Sequence, residues 1–387
     1  MKIRRIIFNI HLYVGLTAGL FLVLSGLTGS MVVFREEIEE IMYPELLETV
    51  VRDERVPMQT VLDAVRRTYP HDRLLYMRMP RTPQQTYVMK MNSAHDLSVY
   101  ADPYTGVLLG SRRQEDTFMG WIALVHAELL IGERGKNILG VSALLLVCMI
   151  VTGFFLWWPP GGKERNGRAR KILRGFRIDL AGPWKKVIFD THRAIGIYTS
   201  LLLLIVAFTG VSLVFNKSVA ELTNLLTASP PRPAPPLSAP SDAGRAAAPP
   251  LDELLHKADR ILPAPTTWIN FPQTPQAPLV VRKKMLEESH PNGRSFVYFD
   301  QYTGEVLLVE KASTAPAGTR IYNTFYPIHT GTIGGLSTRI LQMVIGFSPL
   351  ILFVTGYVMW RNRRKAKAYK AASQKLDFDS AALGRDK

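Results

Sequence analysis

The sequence predicts an α-helical integral membrane protein with four transmembrane helices arranged as a parallel tandem repeat. Each half also carries a small α+β domain outside the membrane. Three observations lead there. First, 47% of the 387 residues are hydrophobic, and they are gathered into four runs at residues 10–34, 138–158, 187–215 and 340–360. Each run meets the requirement of about 20 mostly apolar residues for crossing a bilayer, and no other stretch does. Second, two phrases occur twice. His11-Leu12-Tyr13-Val14-Gly15, running on to Thr28-Gly29 and Phe34, recurs as His192-Arg193-Ala194-Ile195-Gly196, running on to Thr209-Gly210 and Phe215. Asp102-Pro103-Tyr104-Thr105-Gly106-Val107-Leu108-Leu109 recurs as Asp300-Gln301-Tyr302-Thr303-Gly304-Glu305-Val306-Leu307. Third, the basic residues are segregated.

That segregation sets the expected orientation, because Lys and Arg accumulate on the cytoplasmic side. Lys2, Arg4 and Arg5 precede the first span. The connection at residues 159–186 holds nine Lys/Arg against two Asp/Glu, and the tail at 361–387 holds nine against three. These three segments account for the whole net charge of +15. A four-span topology places them on one face, so both termini are expected inside. The basic balance thus reflects membrane topology, and no nucleic-acid partner is expected. The first apolar run exceeds the 7–15 residues of a signal-peptide core and has no small-x-small cleavage site after it, so it reads as a retained anchor. Cys148 is the only cysteine, which excludes disulfides, iron–sulfur clusters and Cys-based zinc sites within the monomer.

Between spans, the pattern changes period. Val61, Leu62, Val65 and Tyr69 recur at helical spacing, then short alternating runs follow at 74–79, 86–91 and 97–101. The Asp102–Gly106 turn and Val107–Leu109 complete a helix on a small antiparallel sheet. Residues 229–250 are rich in Pro, Ala and Ser and read as an extended linker. Leu251, Leu254, Leu255, Ile261 and Leu262 then predict a second helix, with strands at 267–271, 279–283 and 295–299 before the second turn phrase. Both halves start and end on the same side, so the repeat axis runs along the membrane normal.

Four of the eight histidines pair by the repeat. His11 and His192 open spans one and three at the inner end; His126 and His329 precede spans two and four at the outer end. His71, His95, His256 and His290 fall in polar or turn-like external surroundings and read as surface residues. An ionisable residue at membrane depth points to function and usually faces the bundle interior. Two imidazoles from different helices can ligate one haem iron axially, and Gly15 and Gly196 remove side chains where a porphyrin face would press. About 30 Å separates the two ends of a 20-residue span, so the pairing is His11 with His192 and His126 with His329, giving two haems. The competing readings are interfacial histidines copied with the half, another metal, or a proton relay. Zinc or copper is disfavoured because the two pairs lie too far apart to complete one tetrahedral site.

Other features weigh less. Met77, Met79, Met89 and Met91 alternate as strand residues do, and read as core rather than as thioether ligands. Trp157, Trp158 and Trp360 close spans at an interface. No Gly-rich phosphate or dinucleotide loop is present. Arg282-Lys283-Lys284 and Arg112-Arg113 read first as a solvated face and second as cations for an acidic ligand.

The His-x-x-x-Gly span opening, its Thr-Gly, the Asp-x-Tyr-Thr-Gly phrases and Pro327-Ile328-His329 together resemble the PepSY-associated transmembrane helix family of Gram-negative bacteria. Within it, the likeness is to inner-membrane ferric-siderophore reductases of the ferrioxamine type, and it covers all but the linker and the tail. The resemblance implies a bacterial inner-membrane location, two periplasmic PepSY-like domains, and two b-type haems held by membrane histidines, at His11, His192, His126 and His329 here. It divides the chain into a first span (1–35), a first PepSY-like domain (36–117), an interfacial segment with span two (118–158) and a basic cytoplasmic loop (159–186). Span three (187–216), the Pro-rich linker (217–250), the second PepSY-like domain (251–318), an interfacial segment with span four (319–360) and the cytoplasmic tail (361–387) follow.

The function expected is haem-dependent electron transfer to a ferric siderophore in the periplasm, releasing Fe(II), with an electron donor the sequence does not name. The alternative is a haem-free membrane protein whose PepSY-like domains bind or inhibit a peptidase. A transporter is disfavoured, since the spans hold almost no charge besides these histidines. The expected topology is testable by reporter fusions. Fusions after Arg113 and Lys311 should report periplasm, and those after Arg174 and Lys370 cytoplasm. A cytoplasmic signal at Lys311 would remove the parallel repeat.

Overall fold

The computed structural model describes residues 2–93, 96–159, 165–239 and 249–383. In chain order, α1 (Lys2–Val32), α2 (Arg35–Met42), α3 (Pro44–Leu47) and α4 (Met58–Thr68) lead into β1 (Arg73–Arg78), β2 (Tyr87–Asn92), β3 (Leu97–Ala101) and β4 (Leu108–Arg113). Then come α5 (Phe118–Glu128), α6 (Glu133–Trp157), α7 (Arg165–Gly175), α8 (Trp184–Val214) and α9 (Asn216–Leu226). The second half continues with α10 (Leu251–Ile261), β5 (Thr266–Asn270), β6 (Leu279–Lys283), β7 (Ser295–Phe299) and β8 (Val306–Glu310), and ends with α11 (Ala317–His329), α12 (Gly335–Gly346) and α13 (Ser348–Leu383). The chain divides into two compact units: Met1–Ser30 with His126–Val214 and Gln342–Lys387, and Met31–Val125 with Phe215–Leu341.

The first unit is helical. Among the described residues, four helical stretches are long and apolar enough to cross a membrane: Lys2–Val32, Glu133–Trp157, Trp184–Val214 and Thr332–Gln374. The last of these is interrupted at Phe347, where α12 ends on Gly346 and α13 restarts with Pro349 in its first turn, a position where the missing proline N–H is harmless. Within the bundle α8 packs against both α6 and α13. Helix α1 meets the end of α12 through a glycine pair. A Cβ on Gly26 would lie 2.4 Å from the Gly346 carbonyl oxygen, and Ser30 Oγ lies 2.9 Å from the Gly26 carbonyl and 2.8 Å from that of Met343. Small residues that admit backbone to backbone are the usual means of holding helices together where lipid offers no hydrophobic drive.

The second unit is an eight-stranded antiparallel sheet in the order β4-β3-β2-β1-β5-β6-β7-β8. The two α+β halves therefore do not build two separate sheets. Their first strands pair antiparallel, with Met77 opposite Ile269, and the rings of Tyr76 and Trp268 meet across the seam at 4.6 Å, tilted by 37°. The amphipathic helices α4 and α10 share one core with the strands; Val61, Leu62, Leu254 and Ala258 meet Met77, Met89, Val99, Ile269, Val281 and Phe299, all buried. Methionines 77, 89 and 91 are thus core residues. The two halves are also stitched at the helix starts, because the Asp252 carboxylate of α10 accepts the backbone N–H groups of Met58 and Gln59 at 2.8 and 3.2 Å. That caps α4 from the other repeat.

The repeated Asp-x-Tyr-Thr-Gly phrase is a single turn used twice. Asp102 Oδ1 accepts from the Tyr104 N–H at 2.7 Å, and Asp300 Oδ1 from Tyr302 and Thr303 at 2.8 and 2.9 Å. The glycines close the turns at φ +73 and +67, in the left-handed region that a side chain makes costly. At Gly304 a Cβ would also meet Pro249 Cγ at 2.4 Å and Leu254 Cδ2 at 2.8 Å. Gly304→Ala should therefore cost about 1–3 kcal/mol of unfolding stability, read by denaturant unfolding of the purified chain. A stability equal to wild type would show that the turn phrase does not hold the sheet unit.

Candidate functional site

The bundle unit is built around two imidazoles. His11 lies on α1 and His192 on α8, at nearly equal distances from the starts of their helices. Their ring centroids are 6.4 Å apart with the planes at 87°. Each ring is fixed by a neighbouring helix. His11 Nδ1 lies 3.0 Å from Thr152 Oγ1 of α6, and His192 Nδ1 lies 2.8 Å from Thr355 Oγ1 of α13. Both threonines direct their own hydroxyl hydrogen back along the helix, Thr152 to the Cys148 carbonyl at 2.8 Å and Thr355 to that of Ile351 at 2.7 Å. The threonine oxygen is then an acceptor toward the ring, which assigns the proton to Nδ1. In both neutral rings the Nε2 lone pair is left uncommitted.

Glycines supply the space. A Cβ on Gly153 would come within 3.1 Å of His11 Cε1, and one on Gly356 within 3.5 Å of His192 Cε1. Thr152-Gly153 and Thr355-Gly356 are therefore two copies of one seat, in which Gly admits the ring edge and Thr takes its N–H. His126 uses a third copy. It lies on α5 with Nδ1 3.0 Å from the Ser25 carbonyl and 3.3 Å from Thr28 Oγ1, and a Cβ on Gly29 would meet its Cε1 at 2.8 Å. Thr28-Gly29 lies about 25 Å along α1 from His11 at 1.5 Å per residue. His329 ends α11 and is half-buried. It belongs to the sheet unit, whereas His126 belongs to the bundle unit. Of the four sequence-predicted ligands, the structure brings together His11 and His192.

A cavity of about 710 Å³ surrounds that pair, within the range of cofactor and ligand pockets. Its walls include Leu12, Leu16, Met149, Ile150, Leu352 and Phe353, and Gly15, Gly19 and Gly196 keep it wide. At the end nearest the helix starts, Arg4, Lys185 and Arg363 also line it. Arg4 donates to the carbonyls of Leu156 and Trp158 at 2.5 and 3.2 Å, closing the end of α6, and Arg363 lies over Phe8 at 4.4 Å.

These residues fit a haem. An imidazole–metal bond of about 2 Å, with about 1 Å more to the ring centre, puts the centres of two axial rings about 6 Å apart. The observed spacing is 6.4 Å. Among the described residues no group of three or more His, Cys, Asp or Glu is gathered. The walls are apolar, and the cations sit at one end, where acidic substituents would be met.

Two readings of the sequence are corrected. His290 is not a surface residue; it is 5% exposed and stacks on Tyr326 at 4.9 Å. Arg282, Lys283 and Lys284 do not form a common cationic face. Alternation along β6 turns Lys283 into the core, where its ammonium is fully buried and pairs with Asp259 and, at 3.0 Å, the Ala264 carbonyl. His71 and His256 are exposed as expected, and His95 lies outside the described residues. Thr152 and Thr355 were missed, although the Thr-Gly dipeptide common to all four spans was a signal for them.

The family model for the PepSY-associated TM region matches residues 8–363. No curated protein matches the chain.

The seat makes a prediction independent of any cofactor. Nitrogen-15 histidine spectra of the metal-free chain should show the Nδ1–H tautomer for His11 and His192. Thr355→Val removes an acceptor worth about 1 kcal/mol and should bring the Nε2–H form of His192 to a measurable fraction while leaving His11 unchanged. An Nε2–H tautomer in the wild-type chain would disprove the seat.

Proposed function

Because the chain belongs to the PepSY-associated TM region family, we propose that it is a di-haem b protein of a bacterial inner membrane. Its role in this reading is to carry electrons from a cytoplasmic or membrane donor to ferric-siderophore iron in the periplasm. The supporting observation is the His11–His192 pair at 6.4 Å, with both Nδ1 atoms tied to threonine oxygens. Bound haem would supply one-electron Fe(III)/Fe(II) exchange, and bis-His ligation suits electron transfer rather than oxygen binding.

The protein's own contribution is positional and electrostatic. His11 and His192 present Nε2 from two different helices, so the ligand geometry depends on bundle packing rather than on one flexible loop. Thr152 and Thr355 hold each proton at Nδ1, which fixes the ring orientation and raises the basicity of the opposite nitrogen. The Leu, Ile and Met walls exclude water. Lys185 and Arg363 stand where they would meet acidic substituents. His126, held on Ser25 and Thr28, is the outer ligand in this reading, and His329 its partner by the repeat. Electron transfer needs no proton-donating side chain, and none is assigned.

Reduction of a chelated Fe(III) by one electron gives Fe(II). Hydroxamate and catecholate oxygens hold Fe(II) far less well, because hard anionic oxygens favour the smaller, more highly charged ion. Release then follows from the change in charge, without cleavage of the chelator.

Visible spectroscopy of the purified protein tests the proposal, and the histidine variants test its geometry. His11→Ala and His192→Ala should each lose about half the haem, the share of one of two bis-His sites, and keep the other half. His126→Ala and His329→Ala should resemble each other and spare the inner haem. All four should stop electron flow, since a gap of about half a bilayer, roughly 15 Å, is left between carriers. A protein with no haem absorption, or variants with unchanged haem content, would overturn the reading; His11→Ala behaving like His126→Ala would overturn the pairing.

A further inference from the structure

The sheet unit holds positive charge that the protein does not neutralise. Strand β6 alternates, so Arg282 faces away from the core that buries Val281 and Lys283. On that side Arg282 and Arg232 stand 5.6 and 5.1 Å from the centroid of Phe296. Arg232 is answered by Glu310 at 2.6 Å. Arg282 has no carboxylate. It donates to the Gly293 carbonyl at 2.9 and 2.6 Å and to Nδ1 of His290 at 3.2 Å.

Arg294 has still less. Its backbone N–H is bonded to Glu288 at 2.7 Å, but its Nε is shielded from solvent and without a hydrogen-bond partner. The neighbouring cations are already used. Lys284 donates to backbone carbonyls of Glu288 and Met285, and Arg81 reaches Glu36 at 2.6 Å and Asn292 at 2.8 Å. His290 adds no charge, being pushed down to about 2 by burial and then by Arg294, Arg282, Lys284 and Arg81. Burial likewise lowers Arg282 to about 10. Arg81, Arg232, Arg282, Lys284 and Arg294 are thus five cations facing the three carboxylates Glu36, Glu288 and Glu310, and Arg282 and Arg294 share the field of one, Glu288, with no ion pair to it.

Two partly buried guanidiniums that share one carboxylate, one of them with a shielded Nε lacking a partner, are unfavourable. Each planar fork matches the paired oxygens of a carboxylate or phosphate, and the field of Arg294 reaches the phenols of Tyr322 and Tyr326. We propose that Arg282 and Arg294 form a binding site for a small polyanion whose acidic groups are carboxylates or phosphates. A neutral or cationic ligand gains nothing there. The inference stands on the sheet unit alone and does not rest on haem binding.

The test uses the full chain in nanodiscs of phosphatidylcholine, titrated calorimetrically with citrate and with inorganic phosphate at low salt. Binding should appear for at least one anion, and Arg294→Gln and Arg282→Gln should each weaken it tenfold or more. Arg66→Gln, at an exposed residue of α4 paired with Asp63, should leave it unchanged. In a parallel arm, native mass spectrometry of chain extracted from bilayers containing phosphatidylglycerol asks whether the wild type, but not Arg294→Gln, retains that lipid. Retention without citrate or phosphate binding assigns the anion as a lipid headgroup; soluble-anion binding assigns a free ligand. Neither binding nor retention, or equal weakening in Arg66→Gln, overturns the site. The melting temperature of anion-free Arg294→Gln should equal or exceed wild type, since an unmatched charge is removed; a fall would give Arg294 a structural role instead and also overturn it.

Discussion

An imidazole inside an apolar helix bundle needs two things at once, room for its ring and an acceptor for its N–H. Leaving that donor unmatched costs about 1–3 kcal/mol, which neither lipid nor leucine can offset. The Thr-Gly seat meets both needs with adjacent residues. Glycine lets the ring edge reach the neighbouring helix backbone, and threonine, its hydroxyl already donated to its own helix, accepts the ring proton. Three histidines use the device: His11 on Thr152-Gly153, His192 on Thr355-Gly356 and His126 on Thr28-Gly29. Each seat lies on a different helix from the histidine it holds, so helix spacing and ring orientation are set together. Loss of either residue would disturb both.

The sheet unit is held by a different constraint, the need of each half for the other. A four-stranded sheet with one helix would leave β1 or β5 as an open edge of apolar and aromatic residues, an invitation to unwanted pairing. The halves close that edge against each other through Tyr76, Met77 and Arg78 on one side and Trp268, Ile269 and Asn270 on the other. Asp252 adds a polar tie by capping α4 from α10. Duplication thus yields one core spanning both repeats.

Much of this was legible because it is local. Length and apolarity marked the spans, alternation marked β3, β6 and β7 to the residue, and the helical spacing of Val61, Leu62 and Val65 marked α4. The pairing of His11 with His192 followed from the repeat. The rest was not local. The β1–β5 seam joins strands that are distant in sequence and belong to different repeats, and no pattern within either strand announces a partner. Lys283 looked like part of a basic patch because adjacency in sequence was read as adjacency in space, whereas period-2 alternation sends Arg282 and Lys283 to opposite faces. His290 was assigned to the surface from its polar neighbours, yet contact with Tyr326, far along the chain, buries it. Thr-Gly was noticed in spans one and three only, since the repeat aligned those two. Its copies in spans two and four fall at another point of the helix, where they serve the histidines of the opposite set.

The two units handle charge in different ways. Around His11 and His192 the walls are largely apolar, with Arg4, Lys185, Arg193 and Arg363 as the cations among the lining residues. Both rings line one cavity, with their centroids 6.4 Å apart. Their Nδ1 sites are already filled. In the proposed reading the Nε2 lone pairs are what a bound haem would use. In the sheet unit Arg282 has neutral acceptors but no ion pair, and Arg294 has an Nε without a partner, so the matching chemistry is anionic oxygen.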